Sequence, residues 1–485
     1  MLCVSLMPAT VDEARASLCR VASHADLAEL RLDAIRGPVD LDHLLHNPPC
    51  PVVVTCRPVR EGGLYDGPED DRLDTLRRAV GLGARYIDVE HDSLHRLGDV
   101  PPAHVIASYH NFQETPPDLQ ATYDRLAKSG AGTVKVAAMA HHILDTVPIL
   151  EILSQARVPT IALSMGPRGV LTRLVAPKFG ALLTFAADDV GPEAAPGQVT
   201  LRQMRDLYRV DRIGRRTELY GVMADPVAHS MSPQIHNAAF AEVGYDAVYL
   251  PLWVEGDPAA FVRAMAPFGV GGYSVTIPHK QAVMAAADTI EPLARRIGAV
   301  NTLQRRADGT LFATNTDWTA GMAAIEAAVG QGWLAGKRAL LVGAGGVGRA
   351  MAFGLTERGA RVTLTDVNTG RAAALAQELG AQTCPLSTIA NQPCDILLNA
   401  TPVGMHPKTD ASPVPPEALR NGLVVYDAVY NPLETRLVRE ARAAGCRTVT
   451  GIDHFVRQAV EQFELWTERP APVDRMRQVV VQALG

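Results

Sequence analysis

Residues Thr133–Met139 read TVKVAAM. Apolar and β-branched residues flank a single lysine, and Gly130 and Gly132 come just before. The pattern predicts a short buried strand. Lys135, at its centre, either points to water from an edge strand or is held inside, where burial disfavours its charge and frees a neutral amine. A neutral amine is what imine chemistry needs.

The surrounding chain decides between these. Short apolar runs recur at Leu2–Met7, Leu27–Asp33, Pro51–Arg57, Tyr86–Glu90, His104–His110, Thr133–Met139, Pro159–Met165 and Ala181–Ala186. Amphipathic stretches such as Thr75–Leu82 and Asp118–Ser129 separate them and read as helices. Eight strand–helix units in about 200 residues match a small (β/α)8 barrel better than an open doubly wound sheet. Polar residues gather where those strands end, which is where barrel chemistry sits. Glu29 and Arg31 share one strand face, Arg57 and His110 close two runs, and Arg173 follows another. With Lys135, such a ring would hold an anion beside a nucleophile and a base.

Six segments in this half resemble the type I 3-dehydroquinate dehydratases: AELRLD (28–33), TCRPVREGG (55–63), SYHNFQETP (108–116), TVKVAAM, SMGPRGVLTR (164–173) and APGQ (195–198). The resemblance covers about residues 1–211. It implies that Lys135 forms an imine with the C3 ketone of 3-dehydroquinate. It also implies that His110 is the general base and acid, and that Glu61 orients His110. Arg57 and Arg173 would hold the substrate, with Glu29, Arg31 and Gln198 completing the site. One departure is Ala194, where the family usually has Ser or Thr; a hydroxyl contact is missing there, a difference of ~1 kcal/mol.

A helix over Thr200–Tyr208, capped by Thr200, is expected to close the barrel. Residues 212–217 read as a linker. A new α/β pattern begins at Glu218. Ser230 and Ser232 stand at a helix start, where hydroxyls and free N–H groups suit a carboxylate. Thr276, Lys280, Asn301 and Asp317 follow in loops after strands, and a lysine and aspartate brought together can relay a proton. A strand at Arg338–Val342 then runs into GAGGVGRA (343–350). Gly343, Gly345 and Gly348 fit GxGxxG, so the turn, with Gly346 and Val347, should cradle a dinucleotide pyrophosphate. Asp366 ends the next strand, where a ribose-reading acid belongs.

This half resembles shikimate dehydrogenase over about residues 218–485, through HSMSP, SVTIPHK, GAVNT, NTD, GAGGVG, NATPVGM (399–405), DAVYNPLET (427–435) and RQAVEQFELW (457–466). By resemblance, Ser230 and Ser232 hold the substrate carboxylate. Thr276, Asn301, Tyr430 and Gln458 hold its ring, and Lys280 with Asp317 handles the carbonyl proton. The implied division is a substrate domain at 218–322, completed by a C-terminal helix at 457–485, with a Rossmann-like domain at 323–456 between. Members using NADP usually carry Asn-Arg-Thr after the second Rossmann strand, whereas this chain has Asp366-Val367-Asn368. The cofactor is therefore expected to be NAD(P)H with a lean to NAD(H), although Arg371 is placed to reach a phosphate. Ser274 stands where Asn is common.

The expectation is a fused enzyme for two consecutive shikimate-pathway steps. The alternatives are an NAD-linked catabolic quinate or shikimate dehydrogenase, and an inactive regulatory relative. The presence of Lys135, His110, Lys280 and Asp317 weighs against the last. A net charge of −6 makes no case for nucleic acid or an anionic membrane. Seven scattered cysteines without CxxC suggest a reducing compartment, and the N-terminal residues do not read as a signal peptide, so the cytoplasm is expected. No HExxH or other metal signature is present. Small-molecule substrates and a monomer or weak dimer complete the expectation.

Overall fold

The structure is a computed structural model that describes residues 1–484. By its contacts the chain divides into two compact units. The first is Met1–Leu219 with Asp246–Gly256 and Phe261–Gly269; the second is Tyr220–Tyr245, Asp257–Ala260 and Val270–Gly485.

The first unit is an eight-stranded parallel barrel: β1 (Leu2–Leu6), β2 (Leu27–Arg31), β3 (Val52–Thr55), β4 (Tyr86–Glu90), β5 (Val105–Asn111), β6 (Thr133–Met139), β7 (Thr160–Met165) and β8 (Thr184–Ala187). Neighbours in sequence pair from β1 to β7, and β8 returns to pair with β1. β7 and β8 form no ladder; the Leu182 N–H donates to the Thr160 carbonyl there, because β8 is only four residues long and begins beyond that point. Alternate strand residues, among them Cys3, Leu27, Val53, Ile106, Ala137, Ile161 and Phe185, fill the interior. Val134, Val136 and Ala138, on the opposite face of β6, pack under the helices Leu119–Ala127 and Val147–Gln155. Lys135 thus lies on the inner face, paired in register with Ser108 and Ile161.

One expectation changes here. The closing helix takes π geometry over Gln203–Leu207, although Thr200 does cap it through the Gln203 N–H at 3.2 Å. The linker segment 212–217 carries its own hydrogen bonds: the Gly214 N–H donates to Thr217 Oγ1 at 2.8 Å, and Lys178 donates to the Thr217 carbonyl at 2.7 Å.

In the second unit, strands Glu218–Ala224, Val270–Val275, Thr302–Arg305, Leu311–Thr314 and Thr289–Ile290 follow one another in that order in one sheet. A six-stranded parallel sheet runs Gln382–Thr383, Arg361–Thr365, Arg338–Val342, Ile396–Asn399, Val424–Asp427, Arg447–Val449, the doubly wound order. Its strands are apolar on both faces and are covered by helices such as Gly346–Glu357. The expected single C-terminal helix is two, Gly451–Thr467 and Val473–Leu484, broken by the left-handed Glu468 and by Pro470 and Pro472.

Among the described residues no helix is long and apolar enough to cross a membrane, and no group of three or more His, Cys, Asp or Glu could hold a metal ion. All seven cysteines are free thiols.

Candidate active sites

Each unit carries one cluster of charged side chains facing a cavity. In the barrel, Lys135 is 5% exposed. The sequence suggests a desolvated, unpaired amine. The structure pairs it: Nζ lies 2.8 Å from Asp88 Oδ2 and 3.7 Å from Glu29 Oε1, over the Phe185 ring. Glu29 is held in turn by the hydroxyls of Ser5 (2.7 Å) and Thr55 (2.8 Å). Burial pushes the Glu29 carboxyl up, but Lys135 and Arg31 outweigh it and keep it low.

His110 ends β5 with its ring toward the same cavity. Its Nδ1 lies 3.0 Å from Glu61 Oε2. Burial, helped by the nearby Arg57 charge, pulls the imidazole down to about 4, so near neutral pH it is an uncharged base. Glu61 is pushed up by its own burial, but hydrogen bonds with His110 and His91 hold it at about 2. It therefore stays a carboxylate and accepts a hydrogen bond from the Nδ1–H of His110, leaving Nε2 as the acceptor. The turn after Arg57 demands glycine: a Cβ on Gly63 would lie 2.0 Å from the Arg57 carbonyl oxygen.

Arg57 spans the strand ends, with Nη1 on Glu90 Oε1 (2.6 Å) and Ser108 Oγ (3.0 Å) and Nη2 on Asp88 Oδ2 (2.9 Å). Arg31 is tied to Asp33 through Nε and Nη2. Arg173 differs from both. It is 1% exposed, and its Nε and Nη2 have no hydrogen-bond partner. Burial lowers it to about 10. Glu193 offsets only part of that cost, and a buried cation facing a cavity with unused N–H donors suits an anion. Gln198 reaches in from the loop after β8, its Oε1 accepting the Ala194 N–H at 3.0 Å. Glu29, Arg31, Arg57, His110, Lys135, Arg173, Ala194 and Gln198 line one cavity, and Glu61 stands behind His110.

The sequence reading missed Asp88 and Glu90, both fully buried. They were visible as two acids at alternate positions of an apolar strand, YIDVE. It also missed His91, whose Nδ1 is 3.6 Å from Glu61 Oε1.

In the second unit, Lys280 Nζ lies 2.6 Å from Asp317 Oδ2, and Asn301 Nδ2 donates to Asp317 Oδ1 at 2.9 Å. Asp317 sits in the first turn of the helix Thr316–Val329, capped by Asn315. Burial pushes its carboxyl up, but Lys280 and His454 outweigh this and hold it well below the usual carboxylate range. Ser230, Ser232, Thr276, Tyr430 and Gln458 line the same cleft as Lys280, Asn301 and Asp317. Ser232 begins the helix Ser232–Glu242, and Tyr430 stacks flat on Phe455 at 4.2 Å. Ser274 Oγ donates to Gln462 Oε1 at 2.8 Å, and Gln462 Nε2 donates to Thr302 at 2.9 Å. The Asn-to-Ser departure thus ties the C-terminal helix to the sheet. His454 also lines this cleft and was not anticipated.

The glycine turn fits a dinucleotide. Gly343 has φ of 103°, a Cβ on Gly348 would lie 2.0 Å from the Gly343 carbonyl oxygen, and nothing lies within 4 Å of the Cβ position of Gly345. Gly346 and Val347 open the following helix. Gly345, Gly346, Arg349 and Arg371 line the adjoining cleft. Asp366 has a second task. Its Oδ2 accepts the Ala344 N–H and its Oδ1 the Asn368 N–H, each at 2.7 Å. The carboxylate braces the glycine turn, so a ribose could use only its remaining lone pairs. Val367, at the position of the family's arginine, is 89% exposed.

Comparisons with known proteins agree with this division. The family model for type I 3-dehydroquinase matches residues 2–215. The shikimate dehydrogenase substrate binding domain matches 222–303, and the shikimate 5'-dehydrogenase C-terminal domain matches 451–481. A model of coenzyme F420-dependent NADP oxidoreductases matches 338–429. The chain is 39% identical to the chloroplastic bifunctional 3-dehydroquinate dehydratase/shikimate dehydrogenase of Arabidopsis thaliana, over 99% of this chain and 84% of that protein. Solved relatives of the second half include a shikimate dehydrogenase from Listeria monocytogenes in complex with shikimate and NAD (31% identity, TM-score 0.52, 56% of this chain and 98% of that one). Another is a quinate dehydrogenase from Corynebacterium glutamicum in complex with NAD (32%, TM-score 0.51, 55% and 99%). With its arrangement matched along nearly its whole length, the chain belongs to the bifunctional 3-dehydroquinate dehydratase/shikimate dehydrogenase family.

Proposed function

We propose that this chain dehydrates 3-dehydroquinate in residues 1–211 and reduces the resulting 3-dehydroshikimate to shikimate in residues 218–485, within which 323–456 hold the dinucleotide. The observation that carries the first step is the juxtaposition of Lys135, His110 and unpartnered Arg173 around one cavity.

Arg173 takes the substrate carboxylate, which places the ring between Lys135 and His110. The Lys135 amine, its proton shared with Asp88, adds to the C3 carbonyl; loss of water leaves an imine. Neutral His110 removes the C2 proton through Nε2, and the electron pair moves into the imine as an enamine. His110, now protonated, returns that proton to the departing C1 hydroxyl, which leaves as water. Hydrolysis of the imine frees the conjugated product and Lys135. Borohydride reduction with substrate bound, followed by peptide mapping, tests this: an adduct on Lys135 is expected, and its absence ends the imine assignment.

In the second step, Ser230 and Ser232 hold the carboxylate while Thr276, Asn301, Tyr430 and Gln458 hold the ring hydroxyls. The nicotinamide, when bound, exchanges hydride at C3. Lys280 supplies the proton to the carbonyl oxygen, and Asp317 keeps the ammonium aimed there. Val367 in place of arginine, beside the Asp366 carboxylate, supports a preference for NAD(H). That same observation favours one second reading, an NAD-linked oxidiser of quinate. Comparing kcat/KM for NAD and NADP, and for shikimate and quinate, separates them. A monomer or weak dimer in the cytoplasm goes with this reading, and sizing of the purified chain tests the former.

A further inference from the structure

Behind the Lys280–Asp317 pair lies a histidine that the reaction as written does not use. His454, in the helix Gly451–Thr467, is 6% exposed. Its Nδ1 is hydrogen-bonded to the phenol of Tyr426, a fully buried residue on the strand Val424–Asp427. Its Nε2 faces Asp317 Oδ1 at 3.9 Å.

Burial pushes the Tyr426 phenol well up, so it remains protonated. A phenol that stays protonated can donate to the ring nitrogen it meets, which makes Nδ1 the acceptor in that tautomer. In that tautomer the proton of the neutral imidazole sits on Nε2, the atom facing Asp317. The 3.9 Å gap exceeds a hydrogen bond, and closure by about 1 Å completes one. Catalytic contacts commonly tighten in this way only with substrate bound.

We propose that Tyr426 and His454 are positioning residues of the dehydrogenase: Tyr426 fixes the imidazole tautomer, and His454 Nε2–H steadies the Asp317 carboxylate while it holds Lys280. This rests on the assignment of Lys280 and Asp317 above. The titratable groups around His454 are Asp317 on the helix Thr316–Val329, Lys280, Tyr426 and Asp427 on their strand, and Asp453, Arg457 and Glu461 on its own helix. Asp427 is committed to Thr435 and Asn399, and Asp453 to Thr450 and Arg477. Glu461 contacts Thr319 on the Asp317 helix and is pushed by burial to about 7, so it is the competing group near Asp317.

The test measures shikimate oxidation by full-length variants across pH, with thermal unfolding alongside. His454→Leu should lower kcat about tenfold, the weight of one hydrogen bond, with KM and unfolding little changed. His454→Gln, which keeps an N–H donor, should recover most of kcat, which a merely structural role would not allow. Tyr426→Phe should fall between them. The proposal is overturned if Leu and Gln behave alike, if the loss appears in KM or unfolding temperature instead, or if Glu461→Gln alone reproduces the loss of kcat. Lys280→Ala is the separate control: full activity in that variant sinks the underlying assignment, whatever His454 does.

Discussion

Replacing Arg173 with methionine should stabilise the barrel while crippling it. The guanidinium sits at about 10 because burial disfavours its charge. Set against an ordinary value above 12, at ~1.4 kcal/mol per tenfold, the charge costs the folded state about 3 kcal/mol. Methionine keeps most of the apolar stem and gives up ~1 kcal/mol of packing. The barrel should therefore gain about 2 kcal/mol. Substrate binding loses a charge-assisted contact to the carboxylate worth ~3 kcal/mol, or roughly a hundredfold or more in kcat/KM. Hydrogen exchange of β4–β6 peptides in mild denaturant reads the stability of this unit separately from the second. The dehydration rate follows from absorbance of the conjugated product. Faster exchange in Arg173→Met, or kcat/KM within threefold of wild type, would refute the claim that the residue is an under-compensated cation kept for the ligand.

Three further outcomes follow from the same geometry. His110 ordinarily titrates near 6.5 but in the fold only near about 4. On the acid side, kcat/KM for dehydration should hold until pH approaches 4. Barrel stability should decline as pH falls from ~6.5 to 4, because the unfolded histidine takes up a proton that the folded one refuses; an activity midpoint near 6.5 contradicts this. Asp88→Asn leaves Arg57 and Lys135 sharing fewer carboxylates in a dry site and should cost the barrel about 3–5 kcal/mol, seen as faster exchange in the same peptides. Val367→Arg should raise the NADP-to-NAD ratio of kcat/KM about tenfold, because the exposed position accepts a guanidinium without repacking. Steady-state kinetics with both cofactors measures that shift.

Much of this architecture was legible because its signals are local. Eight apolar runs and a glycine turn between strand and helix are patterns of adjacent residues, and they located the barrel strands and the parallel sheet. Lys135 stood out because it breaks an apolar strand, whereas His110, Lys280 and Asp317 were located by the family motifs around them. What escaped depends on residues far apart in sequence. Nothing near Asp88 shows that it meets Lys135, 47 positions on. His454 reads as one polar residue on an amphipathic helix until Tyr426 and Asp317 close around it. Asp366 was placed in the right turn, but its oxygens go to backbone N–H groups, which periodicity does not reveal. The π turn at Gln203–Leu207 likewise has the composition of an ordinary helix.

Lys135 is mounted on a strand paired on both sides, with Ser108 and Ile161 as its neighbours, whereas Gln198 and Ala194 lie on the loop after β8. The proposed nucleophile is therefore fixed independently of the loop that lines the far side of the cavity. For an engineer, that separates chemistry from selectivity: rebuilding the loop can retarget the barrel to other keto acids without re-siting the nucleophile.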